Sequence, residues 1–238
     1  MVTIPGQFNG PLHSGNGGYV AGLLAQEVGG AEPVTSTLRI PPPLDVPLSF
    51  EHDDGEVRLL TAGGAVVGNA SPGAFTRDVA PSPTPDEAAA GLAHYPGFSN
   101  HPFDHCFTCG TARDEGDGLR LFAGPIDTAE PGLTAAPWTP HEAFGDHDGA
   151  LDLPVAWASL DCPGGWAADF SRNPMVLGRM TAQVNRRPHV GESYLAVGHL
   201  HAQEGRKFLT DTALWSEDGE LLGRAEQIWI LIDLATFC

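Results

Sequence analysis

The chain has 238 residues, 42% hydrophobic and 18% charged, which suits a globular protein with a sizeable core and excludes a disordered chain. Twelve Lys and Arg against thirty Asp and Glu leave a formal charge of −18, a balance that repels phosphate backbones and excludes nucleic acid as the expected partner. There is no apolar run of about 18 residues to span a membrane, and Met1 to Gly10 lacks the basic start and apolar stretch of an export signal, so the cytoplasm is the expected compartment.

Gly18 to Val28 reads as a helix, followed by a turn at Pro43-Leu44-Asp45-Val46 and by extended segments at Leu48–Phe50 and Val57–Thr61. Val79 to Glu87 carries three prolines among polar residues and is expected to hold neither helix nor sheet. Tyr95 to Asp117, dense in His, Cys, Gly and Asp, is a second irregular stretch. Beyond it come a second helix at Pro154–Ala168, a turn at Pro188-His189-Val190-Gly191, and alternating segments at Tyr194–His201, Lys207–Trp215 and Leu221–Ile232.

These elements repeat. Gly64-Ala65-Val66-Val67-Gly68-Asn69-Ala70 matches Gly219-Glu220-Leu221-Leu222-Gly223-Arg224-Ala225 in apolar pattern and glycine placement. The chain therefore divides into an N-terminal half (1–78), an irregular linker with a CxxC (79–118) and a C-terminal half (119–238). Each half is a helix followed by an antiparallel meander. One helix wrapped by one meander leaves an open sheet edge, and two halves joined edge to edge would bury both helices.

Three segments, Val190-Gly191-Glu192, Gly205-Arg206-Lys207 and Asp218-Gly219-Glu220, resemble in order the turns and hairpins of the hotdog-fold acyl-CoA thioesterase superfamily. Leu160-Asp161 is similar to the pair that ends its central helix, and Asn16-Gly17-Gly18-Tyr19 to its helix opening. The resemblance implies an α+β double hotdog that hydrolyses acyl thioesters, with coenzyme A as part of the substrate and no further cofactor. It also implies a glycine amide from one helix, to polarise the carbonyl, and a carboxylate from the facing helix. Eight residues beyond Gly17 stands Ala25, and eight before Asp161 stands Leu153, followed by Pro154. One half thus keeps the amide and the other the acid, which gives one composite site with Asp161 and Gly18 as catalytic groups. Asn16, Gly17, Tyr19, His13 and Trp157 are expected to bind substrate, with Arg186 and Arg206, from a cluster that includes Arg179, Arg187 and Lys207, for the phosphates. Gln26 and Glu27 are fallback acids.

The same residues also admit plainer roles. Gly17 and Gly18 would serve close packing alone, and Asp161 a helix end. A non-catalytic acyl-CoA or lipid-binding module is the first alternative. A hydratase-like hotdog is the second, although the aspartate that its signature needs five residues before His13 is Phe8 here. Fusion supplies the usual hotdog pair within one chain and leaves a homodimer of such chains open.

Four cysteines, Cys106, Cys109, Cys162 and Cys238, argue for thiols or a metal rather than a disulfide framework. Cys106 and Cys109 with His101 and His105 would make a zinc set, but all four crowd into nine residues, whereas zinc sites draw on two separated segments. No metal is expected on that ground. Cys162 lacks an identifiable base and reads as a packing residue.

Overall fold

A computed structural model describes residues 1–29 and 32–237, so Cys238 lies outside the described residues. In chain order the elements are α1 (Gly17–Val28), β1 (Val34–Leu38), β2 (Leu48–Asp53), β3 (Glu56–Thr61), β4 (Val66–Pro72) and α2 (Pro85–Ala93). There follow β5 (Gly124–Pro125), β6 (Leu133–Trp138), α3 (Leu153–Ser159), α4 (Cys162–Ala167), β7 (Met175–Val184), β8 (Tyr194–Glu204), β9 (Lys207–Ser216), β10 (Leu221–Leu231) and α5 (Leu234–Phe237). Asp54 and Gly55 both take positive φ, 41° and 82°, which gives the β2–β3 hairpin the mirror-image turn that matches strand twist.

The strands form one ten-stranded antiparallel sheet in the order β2-β3-β4-β1-β7-β10-β9-β8-β6-β5. Its two halves share the β1–β7 seam, registered from Val34 opposite Ala182 to Thr37 opposite Arg179. The edge left open by one meander is therefore closed by the other, and the architecture is the double hotdog. Both central helices lie on the same sheet face. Ser36 Oγ donates to Ala21 O of α1 at 3.1 Å, and Thr134 Oγ1 donates to Pro163 O of α4 at 3.0 Å. One continuous apolar core joins helices and sheet across the seam.

Two expectations are corrected. The proline-rich stretch does enter a helix, because Pro85 occupies the first helical position, where no amide partner is needed. Thr84 and Glu87 complete a capping box in front of it. This α2 packs Ala88 against Ala135 and Leu195 on the opposite sheet face, so the linker is part of the C-terminal half's packing. Second, the helix expected over 154–168 is broken into α3 and α4 at Leu160-Asp161. Pro163 removes an amide and its ring conflicts with the carbonyl four residues earlier, which ends one helix and starts another.

Candidate functional site

The break in the second helix and the start of the first meet in the middle of the molecule. A Cβ on Gly18 would lie 2.6 Å from Asp161 Cβ and 2.9 Å from Trp157 O. One turn on, a Cβ on Gly22 would lie 2.6 Å from Pro154 Cα. Only hydrogen at both positions lets the antiparallel helices approach this closely.

That approach couples Asp161 to α1. Gly18 N–H and Asn16 Nδ2 both donate to Asp161 Oδ2, each at 3.0 Å. Asn16 is also the N-cap of α1, its Oδ1 accepting from Tyr19 N at 2.9 Å, so the residue that starts the helix also grips the acid. Asn16 Nδ2 further contacts Thr108 Oγ1 at 3.3 Å and Cys106 Sγ at 3.7 Å. The carbonyls freed by the helix break do not go unpaired. Gln227 on β10 donates Nε2 to Leu160 O at 2.7 Å and to Asp161 O at 2.8 Å, while Thr108 Oγ1 donates to Ala158 O at 3.0 Å.

Asp161 is 2% exposed, and burial pushes its carboxyl up to about 7. The Gly18 amide and Asn16 pull the other way, and Cys106 adds to the rise. Among the described residues, its Oδ1 is buried without a hydrogen-bond partner. Of the first helix amides, Tyr19 N is taken by Asn16 and Gly18 N by Asp161. Gly17 N–H has no such partner among the described residues.

Asp161 and Gly17 sit on the wall of a cavity of about 240 Å³, otherwise mostly apolar and lined by Leu38, Ile40, Phe170, Leu177, Trp229 and Phe237 among others. A space of this size takes a short acyl group, while pockets for whole drug-sized ligands start near about 300 Å³.

The structure brings together Asn16, Gly17, Gly18 and Asp161, and it separates the other expected contacts from them. Tyr19 and Trp157 are no part of the cavity wall, which corrects their expected place against an acyl chain. The Tyr19 ring stacks on Phe8 at 4.0 Å, and Trp157 is 2% exposed in the α1–α3 interface. Burial and Asp152 push the Tyr19 hydroxyl up to about 12. His13 is exposed beside the cavity rather than in it. Arg186 pairs with Glu220 at 2.9 Å and Glu192 at 3.4 Å, and Arg206 donates to Leu231 O at 3.0 Å, so neither is placed at the site. His101 turns Nε2 to Cys109 O and accepts from Phe103 N at Nδ1, and His105 is exposed, so the imidazoles are not aimed at the thiols. Gln227 and Thr108 were missed, since a single polar residue in an apolar strand or loop carries no motif.

No protein-family model matches the chain, and no curated protein matches it. Solved structures do. A thioesterase candidate from Novosphingobium aromaticivorans superposes with a TM-score of 0.62 at 16% identity, over 98% of this chain and 94% of its own. The tesB protein of Mycobacterium avium subspecies paratuberculosis gives 0.59 at 14% identity, covering 94% and 89%. An acyl-CoA thioesterase II of Mycobacterium marinum gives 0.53 at 12% identity, covering 91% and 88%. At these identities the likeness shows a shared fold along nearly the whole of each chain.

Proposed function

We propose that the chain hydrolyses acyl thioesters, acyl-CoA in the first instance, at one composite site where Asp161 is the general base. The observation that carries this reading is the asymmetric hold on Asp161. Oδ2 is fixed by Gly18 N–H and Asn16 Nδ2, Oδ1 is buried without a partner, and the residue borders the cavity. A carboxylate held by one oxygen keeps the other in a defined direction for proton transfer.

In the proposed reaction Oδ1 takes a proton from water as that water attacks the thioester carbonyl. The tetrahedral intermediate collapses by breaking the C–S bond, and the proton passes on to the leaving thiolate. The developing oxyanion needs a donor, and the amide assigned from the resemblance, that of Gly18, is already bonded to Asp161. Gly17 N–H, one residue earlier at the positive end of α1, takes that role in this reading. The apolar wall would receive a short acyl group and leave the carrier outside.

Thiol release from a panel of acyl-CoAs, wild type beside Asp161→Asn, tests the reading. Asparagine can keep its oxygen toward Gly18 and Asn16 and still cannot accept the proton. Expected is a fall of about 10² to 10⁴ in kcat with KM little changed. Turnover unchanged in the variant would move the chemistry to another residue. If the wild type binds acyl-CoA and releases no thiol, a non-catalytic binding module stands instead, a reading favoured by the prior engagement of the Gly18 amide.

A further inference from the structure

The cavity wall carries a second cluster of reactive groups that hydrolysis does not use. Cys106 and Cys109, from the loop before β5, and Cys162, at the start of α4, all line it. Their Sγ atoms lie within 4.8 Å of one another, and all three residues are buried. Cys106 Sγ and Cys162 Sγ are 3.7 Å apart. Two sulfurs on one tetrahedral zinc at about 2.3 Å stand roughly 3.8 Å from each other. A disulfide would need about 2.05 Å.

The loop is shaped to present its pair. Gly110 N donates to Cys106 O at 2.8 Å, and a Cβ on Gly110 would lie 2.5 Å from both Asp104 O and Cys106 O. The turn over Cys106–Gly110 is therefore as tight as glycine permits. Asn16 Nδ2 contacts Cys106 Sγ, the sort of outer N–H group that steadies a ligating sulfur. On sequence alone, zinc failed because its candidate ligands came from one segment. The fold supplies the second segment through Cys162, fifty-six residues further along the chain, and removes the histidines.

We propose that Cys106, Cys109 and Cys162 form a three-thiolate zinc site whose fourth position faces the cavity. The ion would tie the linker loop to the helix that begins beside Asp161. Three buried thiols from two segments suit a soft d¹⁰ ion better than a hard oxygen-seeking one.

The test is independent of any hydrolysis. Full-length protein is reduced, supplied with excess Zn²⁺, desalted and analysed for bound metal, then exchanged with Co²⁺. Expected are stoichiometric zinc and, with cobalt, intense thiolate-to-metal charge-transfer absorption with the visible bands of a tetrahedral ion. Cys109→Ser and Cys162→Ser should each reduce retention to sub-stoichiometric while the far-ultraviolet circular dichroism stays that of wild type. The wild-type measurement decides even if a variant misfolds. Zinc lost on desalting, with the buried thiols all titrating as free, would overturn the proposal in favour of packing. A non-reducing peptide map joining Cys106 to Cys162, in protein that retains no zinc, would overturn it in favour of a redox pair. Undiminished zinc in a folded Cys162→Ser variant would also overturn it.

Discussion

The two ends of the paired central helices occupy equivalent places in the two halves and have opposite characters. At one end, Asn16, Gly17 and Gly18 open α1 against Asp161. At the other, Asp152, Leu153 and Pro154 open α3, with Gly22 pressed onto Pro154 and Ala25 three residues further along α1. Pro154 has no amide to offer and Ala25 no carboxylate, so this end cannot form a counterpart of the bond between Gly18 and Asp161. The open end carries a cavity, a gripped carboxylate and a cluster of thiols. Fusion of two hotdog halves frees each helix from serving both ends alike, and here it leaves the gripped carboxylate on one side.

The comparison can be broken or sharpened by mutation, beginning with the loss of catalysis expected for Asp161→Asn at the open end. Next in size, Gly18→Ala would force a methyl into Asp161 Cβ and Trp157 O, at a cost of about 3 kcal/mol in denaturant-derived stability. Gly22→Ala should cost a similar amount at the closed end, while its effect on thiol release stays smaller than that of Gly18→Ala. Equal losses of activity from both would mean that helix spacing as a whole, not the open end, controls the site.

Ala25→Asp restores an acid to the closed end without a donor to meet it. A buried carboxyl without a partner is expected to cost about 2 kcal/mol, with no gain in thiol release in the Asp161→Asn background. Recovery of turnover in that double variant would show that the closed end is competent.

The smallest expected effect concerns how the end of the N-terminal half is fastened to the C-terminal half. Glu226 on β10 accepts from Thr76 N and Arg77 N at 2.7 Å each and from Thr76 Oγ1 at 2.8 Å. Burial alone would raise the Glu226 carboxyl, but these donors and the Arg77 charge outweigh it and hold the group below the usual glutamate range. Glu226→Gln should cost about 1 to 2 kcal/mol at neutral pH. A depressed folded pKa stabilises fully above the unfolded value, about 4.3, and the gain is lost as pH falls through the folded value. The difference between wild type and variant should therefore shrink as pH falls below about 4. A difference that stays constant into that acid range would assign it to hydrogen-bond shape rather than to charge.

Much of this arrangement was legible in the sequence. The order of helix, turn and alternating segments in each half follows from local patterning, the joining of two halves from the need to close an open sheet edge, and the hotdog assignment from the resemblance. Spacing and resemblance single out Asp161 and Gly18 as the acid and the amide of one site, without the bond between them. The linker helix at Pro85–Ala93 escaped because three prolines read as a breaker, although one of them sits at the first helical position, where proline is at home. The resemblance implies a helix end at Leu160-Asp161, but the separate helix α4 beyond it escaped because the apolar run through Trp157 and Trp166 looks continuous. The cost of breaking a helix at Asp161 is offset by Gln227, sixty-six residues away on another element.

The sequence by itself determined the first helix and the extended segments at Leu48–Phe50, Val57–Thr61, Tyr194–His201, Lys207–Trp215 and Leu221–Ile232, since these depend on period and turn chemistry close in the chain. The strands β1 and β7, which make the seam, came only with the structure. Only the tertiary structure decided that the Gly18 amide meets Asp161, that Arg186 and Arg206 are engaged elsewhere, and that Cys162 joins Cys106 and Cys109. Each of those outcomes depends on which groups become neighbours when distant segments are buried together. An amide, a guanidinium or a thiol bonds with whatever partner burial places beside it, and the chain's local pattern carries no record of that partner.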